Sequence, residues 1–129
     1  MAEPFIFINT YAVKAGKLEE YLQRHQEVVE LTEAQEPRLL HFGCYTSEDG
    51  AEATTVQVHA DADNMLVHMQ VAGEHIRQAS ELLDFSRMSI QIYGSPSATL
   101  LEEMRKLAGT GVPVSIKERR VGFTRLARP

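Results

Sequence analysis

Thr54–Ile76, TTVQVHADADNMLVHMQVAGEHI, is the stretch whose reading decides the fold. Thr54, Val56 and Val58 alternate with Thr55, Gln57 and His59, the period-2 pattern of a half-buried strand. Asp61 or Asp63 then caps a helix whose apolar stripe is Ala62, Met65, Leu66, Met69 and Ala72, with His68 beside it. Gly73 is expected to weaken that helix ahead of His75. A strand therefore stops at an acidic turn and continues as a short amphipathic helix.

Upstream, Phe5-Ile6-Phe7-Ile8 with Asn9-Thr10-Tyr11 reads as a first strand whose unbroken apolar run implies burial on both faces. After the turn Lys14-Ala15-Gly16-Lys17 comes a helix with Leu18, Tyr21, Leu22, His25, Val28, Val29 and Thr32 on one stripe, ended by Pro37. Arg38 to Thr46 is a second strand, Ser47-Glu48-Asp49-Gly50 a hairpin turn, and Ala51 to Ala60 the third strand. Downstream, Phe85 to Tyr93 is a fourth, with Met88, Ile90 and Ile92 on one face. The order β-α-β-β-α-β is the split βαβ, or ferredoxin-like, α+β unit. It occupies residues 1–94.

Residues 95–129 form a C-terminal helix-strand extension, packed on the same domain or on a dimer partner. Ser95 is the expected cap, Pro96 the first helical position, and Gly109-Thr110-Gly111 the end of its helix. Val112, Val114 and Ile116 then alternate as a fifth strand, and Val121 to Leu126 close the chain.

A chain of 129 residues with 43% hydrophobic and 24% charged residues is one soluble globular domain. Cys44 is the single cysteine, which rules out an intramolecular disulfide and implies a reducing compartment. No apolar run reaches the length of a membrane span, and MAEPFIFINT lacks the features of a signal peptide, so a cytoplasmic protein is expected. A net charge of −5 argues against nucleic acid as a partner. The residues from Lys117 onward carry +4 and the rest −9, which reads as a solvated edge or as a complement to acidic surface on its own subunit or a partner. One face of the four-stranded sheet is left uncovered by two helices, and the Phe5–Ile8 and Met88/Ile90/Ile92 rows give it apolar character. A symmetric homodimer through that face is the expected cover.

INTYAVKAGKLEEYLQRH and VQVHADADNMLVHMQVAGEHI together resemble the antibiotic-biosynthesis-monooxygenase-like (ABM) family of the dimeric α+β barrel superfamily. The likeness covers roughly residues 5–93. It implies a homodimer of ferredoxin-like units, each with a cavity between sheet and helices. It also implies cofactor-independent oxygenation of an aromatic phenol or quinol, a monooxygenase (oxidoreductase) activity. The family's haem-degrading branch uses an Asn in the first strand, a Trp in the second helix and a haem-ligating His. Asn9 fits the first of these, His68 stands at the Trp position, the chain has no Trp, and His75 is displaced from the ligand position. No cofactor is expected.

Such chemistry needs a base to deprotonate the substrate and an apolar pocket to hold the intermediates. His68 is the expected base and Asn9 the expected hydrogen-bonding partner of a substrate oxygen. Tyr11, Tyr45, His59, Met65 and Met69 are expected to bind a small apolar or aromatic ligand. No metal site is expected, because the chain lacks H-x-x-x-H and H-x-H pairs and has one Cys. The alternative is a non-catalytic dimer that binds a small apolar ligand or serves in assembly. The two differ in whether His68 and Asn9 converge on a lined cavity or point outward.

Overall fold

The computed structural model describes residues 3–109 and 111–125. Thr110 and Leu126, both named in the sequence reading, lie outside the described residues. The elements are β1 (Phe5–Val13), α1 (Leu18–Gln35), β2 (Leu39–Thr46), β3 (Glu52–His59), α2 (Ala62–Ala79), β4 (Leu83–Tyr93), α3 (Ala98–Ala108) and β5 (Val114–Lys117). A 3₁₀ turn, Ser80–Leu82, joins α2 to β4. The sheet order is β2-β3-β1-β4-β5, antiparallel except for the β4/β5 pair. The fold class is α+β and ferredoxin-like, with β5 added at the β4 edge.

Local chemistry places the element ends. The Asp61 carboxylate accepts from the Asn64 backbone N–H at 3.1 Å and starts α2. In the β2–β3 hairpin the Asp49 carboxylate accepts from the Ala51 N–H at 3.0 Å, and Gly50 takes φ +71°. α2 runs through Gly73 without a break, because packing along its whole length outweighs one glycine's poor propensity. α3 starts two residues later than expected. Ser97, not Ser95, is its cap, accepting from the Leu100 N–H at 3.1 Å, and Pro96 precedes the cap.

All three helices cover one face of the sheet. Phe5, Phe7, Met65, Ile90, Ile92, Leu100 and Met104 form one buried cluster there, and Tyr11, Tyr21, Leu83 and Met88 belong to a second. The Met88/Ile90/Ile92 row therefore faces the helices rather than the uncovered face. Strand alternation gives the reason: Phe7 pairs with Ile92 and Asn9 with Ile90, so these residues share one side. The uncovered face instead carries Ile6, Ile8, Val56 and Val58, with Thr10 Oγ1 bonded to Thr54 Oγ1 across the strands at 3.0 Å. The extension packs on the rest of its own chain, where Leu100 and Met104 are buried. Its basic end is also engaged locally: Arg119 pairs with Glu3 at 3.4 Å and Arg125 lies over the Phe123 ring. No helix among the described residues is long and apolar enough to cross a membrane.

Candidate functional site

β3 reverses the usual inside-out pattern, and the reversal builds the site. Its inner row is Ala53, Thr55, Gln57 and His59, buried beneath the helices, while its valines face outward. The register sets Asn9 of β1 opposite Thr55 and Phe7 opposite Gln57. On the other side Cys44 of β2 pairs with Thr55 and Phe42 with Gln57. Polar groups are thus laid across an otherwise apolar floor.

Above this floor is a cavity of about 100 Å³. Phe7, Asn9, Thr55 and Gln57 line its base, His25 and His68 its roof, and Met65, Met69 and Met104 its apolar wall. The His68 side chain is fully buried, and its Nδ1 lies 3.0 Å from Glu36 Oε2 and 3.2 Å from Oε1. Glu36, at the C-cap of α1, is itself buried. A carboxylate only accepts, so Nδ1 carries the hydrogen and the lone pair sits on Nε2 when the ring is neutral. That Nε2 is buried without a hydrogen-bond partner, and so is Asn9 Oδ1. His68 and Asn9 thus line one cavity, each with an unpaired polar atom. A buried pair of this kind can take a proton at Nε2 and stabilise the resulting imidazolium through the carboxylate.

The other polar groups divide. His25 holds Thr55 Oγ1 at 3.3 Å through Nε2 and leaves Nδ1 unpaired, and burial lowers its basicity. Tyr11 lines the cavity, but its hydroxyl is bonded to Tyr21 at 2.5 Å and to Thr55 at 2.7 Å. Burial pushes both phenols up, so they stay protonated. His59 does not line the cavity. It stands behind His68, ring centroids 5.6 Å apart, with Nε2 on Gln57 Oε1 at 2.8 Å. Burial, then the neighbouring His68, brings its pKa down to about 3. Tyr45 is placed elsewhere, about half exposed on the uncovered face, stacked on His41 with its hydroxyl 3.0 Å from that ring.

Glu36 is the functional candidate that the sequence reading missed. Its signal was one further i+4 step along the stripe Tyr21, His25, Val28, Thr32, a step hidden by the helix end at Pro37. Among the described residues no three His, Cys, Asp or Glu side chains are grouped to hold a metal ion.

The helix-covered ferredoxin-like sheet defines the class of the fold, which is that of the ABM-like proteins. The solved structures it matches bear this out. MupZ from Pseudomonas fluorescens superposes with a TM-score of 0.71 at 20% identity, over 98% of each chain. SnoaB, a cofactor-independent oxygenase from Streptomyces nogalater, gives 0.61 at 15% identity over 75% of this chain and 97% of its own. A candidate antibiotic biosynthesis monooxygenase from Caulobacter crescentus gives 0.64 at 14% over 70% and 88%. At such identities the likeness is one of fold. No family model and no curated protein sequence matches the chain.

Proposed function

We propose that the protein is a cofactor-independent monooxygenase of a small electron-rich phenol or quinol, with His68 as its base. The observation that carries the reading is the buried, unpaired Nε2 of His68 on the cavity, backed by Glu36 at Nδ1. Nε2 takes the phenolic proton while the carboxylate holds the imidazolium. The Asn9 side chain orients a second substrate oxygen. The phenolate gives one electron to O₂, and the radical pair combines to form a carbon–oxygen bond. The peroxide recovers the proton from His68 and loses water, turning a ring C–H into a carbonyl. One oxygen atom ends in the quinone and one in water, and the substrate supplies all four electrons. The apolar wall keeps bulk water from the intermediates.

The test is O₂ uptake by metal- and flavin-free protein with a panel of phenols and quinols. Uptake with quinone formed in a 1:1 ratio to O₂ is expected. No uptake across the panel overturns the reading in favour of a non-catalytic ligand-binding or assembly role.

The uncovered face, with Ile6, Ile8, Val56 and Val58, supports a homodimer through the sheet. Sedimentation at micromolar concentration is expected to give twice the chain mass, and the chain mass would overturn it.

A further inference from the structure

Gly73 sits inside α2, where a glycine destabilises a helix relative to alanine. Nothing in the backbone calls for it, since its φ is not positive. Nothing in the packing calls for it either, because an added Cβ would meet no atom within 4 Å. The space it leaves open belongs to a surface groove of about 690 Å³ between α2, the 3₁₀ turn and α3. That groove shares Met69, Ser80, Phe85 and Leu107 with the lining of the cavity. The cavity is small beside the ~300–1,000 Å³ of typical ligand sites, while the adjoining groove, at about 690 Å³, falls within that range.

We propose that the groove is a second subsite, holding a neutral, apolar chain attached to the ring that enters the cavity, with Gly73 keeping its floor open. The inference rests on the reading of the cavity as the reaction site. Leu66, Met69, Phe85 and Leu107 supply the apolar floor. The cations on the rim are already matched: Arg77 pairs with Glu74, and Lys106 with Glu102 and Glu103. Among the described residues each cation lining the groove already has a carboxylate beside it, which favours a neutral chain over an anionic one. The substrate this arrangement fits is a phenol ring carrying a neutral alkyl chain.

Calorimetry with resorcinol and 4-hexylresorcinol, and amide NMR with 1-hexanol, test this on the full chain. The hexyl chain is expected to tighten binding about tenfold or more. Gly73→Leu should erase that gain and leave resorcinol affinity unchanged. Gly73→Ala should raise Tm by a few degrees, as a relieved helix glycine does, while keeping part of the gain. An equal chain-length gain in Gly73→Leu, or no gain in the wild type, overturns the subsite. If resorcinol fails to bind, 1-hexanol separates the two ideas. Shifts at Gly73 and Gln70, which line the groove and not the cavity, uphold the groove and sink the phenol reading, and no shifts there overturn the groove. Should Gly73→Leu misfold, the Gly73→Ala and wild-type shifts decide the same question.

Discussion

Two groups of polar side chains are buried between the helices and the sheet, and they are treated differently. In the first, Tyr11, Tyr21 and Thr55 satisfy one another through hydroxyl contacts of 2.5 and 2.7 Å. In the second, His68, Asn9, His25 and His59 each keep one buried polar atom without a partner. Leaving such an atom unmade costs about 1–3 kcal/mol. Of the open group, Asn9, His25 and His68 line the cavity and hold their polarity for a ligand, whereas His59 stands behind His68 outside it. Thr55 lies on the border, bonded to Tyr11 on one side and to His25 on the other.

The largest effect is expected at His68. His68→Gln keeps an N–H for Glu36 but removes the base, and should lower kcat by ~10²–10⁴-fold. His68→Ala should lose as much activity and also stability, because it strands a buried carboxylate. Full activity in His68→Gln, measured by O₂ uptake, would remove His68 from the mechanism.

Glu36→Gln comes next. The Gln amide oxygen still accepts from the His68 Nδ1–H, but the negative charge that steadies the imidazolium is gone. A charge-assisted bond contributes about 1.5–3 kcal/mol, so the loss should reach at most roughly 10–150-fold in rate. Glu36 does not line the cavity, so kcat should fall with KM nearly unchanged. A rise in KM alone would show that Glu36 shapes binding rather than positioning His68.

His25 and His59 extend the comparison to pH. Both have basicity lowered in the fold, His59 to about 3. The unfolded chain protonates His59 near pH 6.5, while the folded chain does so only near pH 3. Below that pH the unfolded state binds more protons, so stability is full above about pH 6.5 and falls toward pH 3. For His59 the slope is about 1.4 kcal/mol per pH unit across that window, and His25, lowered by burial, acts in the same direction. Urea midpoints should decline from pH 6.5 to 4.5, and His59→Gln should flatten the decline. An unchanged slope would mean that His59 titrates normally.

Most of the fold was legible because it is written in periodicity and turn chemistry: the strand–helix order, the Asp61 cap and the Asp49-Gly50 hairpin are all local signals. The inner face of β3 was not. Thr55, Gln57 and His59 read as the wet side of a strand, and only pairing with β1 and β2 turns them inward. His68 and Asn9 were legible as residue types on expected elements. Their shared cavity and the Glu36 partner, 32 residues from His68, depend on how α1 and α2 pack. Tyr45 was misplaced for the mirror reason. One step in register separates it from Cys44, and that step sends it to the opposite face.

The smallest effect, and the sharpest contrast, lies between Asn9 and Tyr11. Both stand on the inner row of β1 and both line the cavity. Tyr11→Phe deletes a hydroxyl with two buried partners, so Tyr21 and Thr55 lose a bond and stability should drop by about 1–3 kcal/mol. Asn9→Ala deletes an Oδ1 with no partner, so the denaturation midpoint should shift far less than for Tyr11→Phe. Its cost should fall on catalysis: one neutral hydrogen bond to the substrate, about 0.5–1.5 kcal/mol, lowers kcat/KM by roughly 2–10-fold. If Asn9→Ala instead destabilises the protein as much as Tyr11→Phe, Asn9 belongs with the closed group, and the division between the two regions fails at that residue.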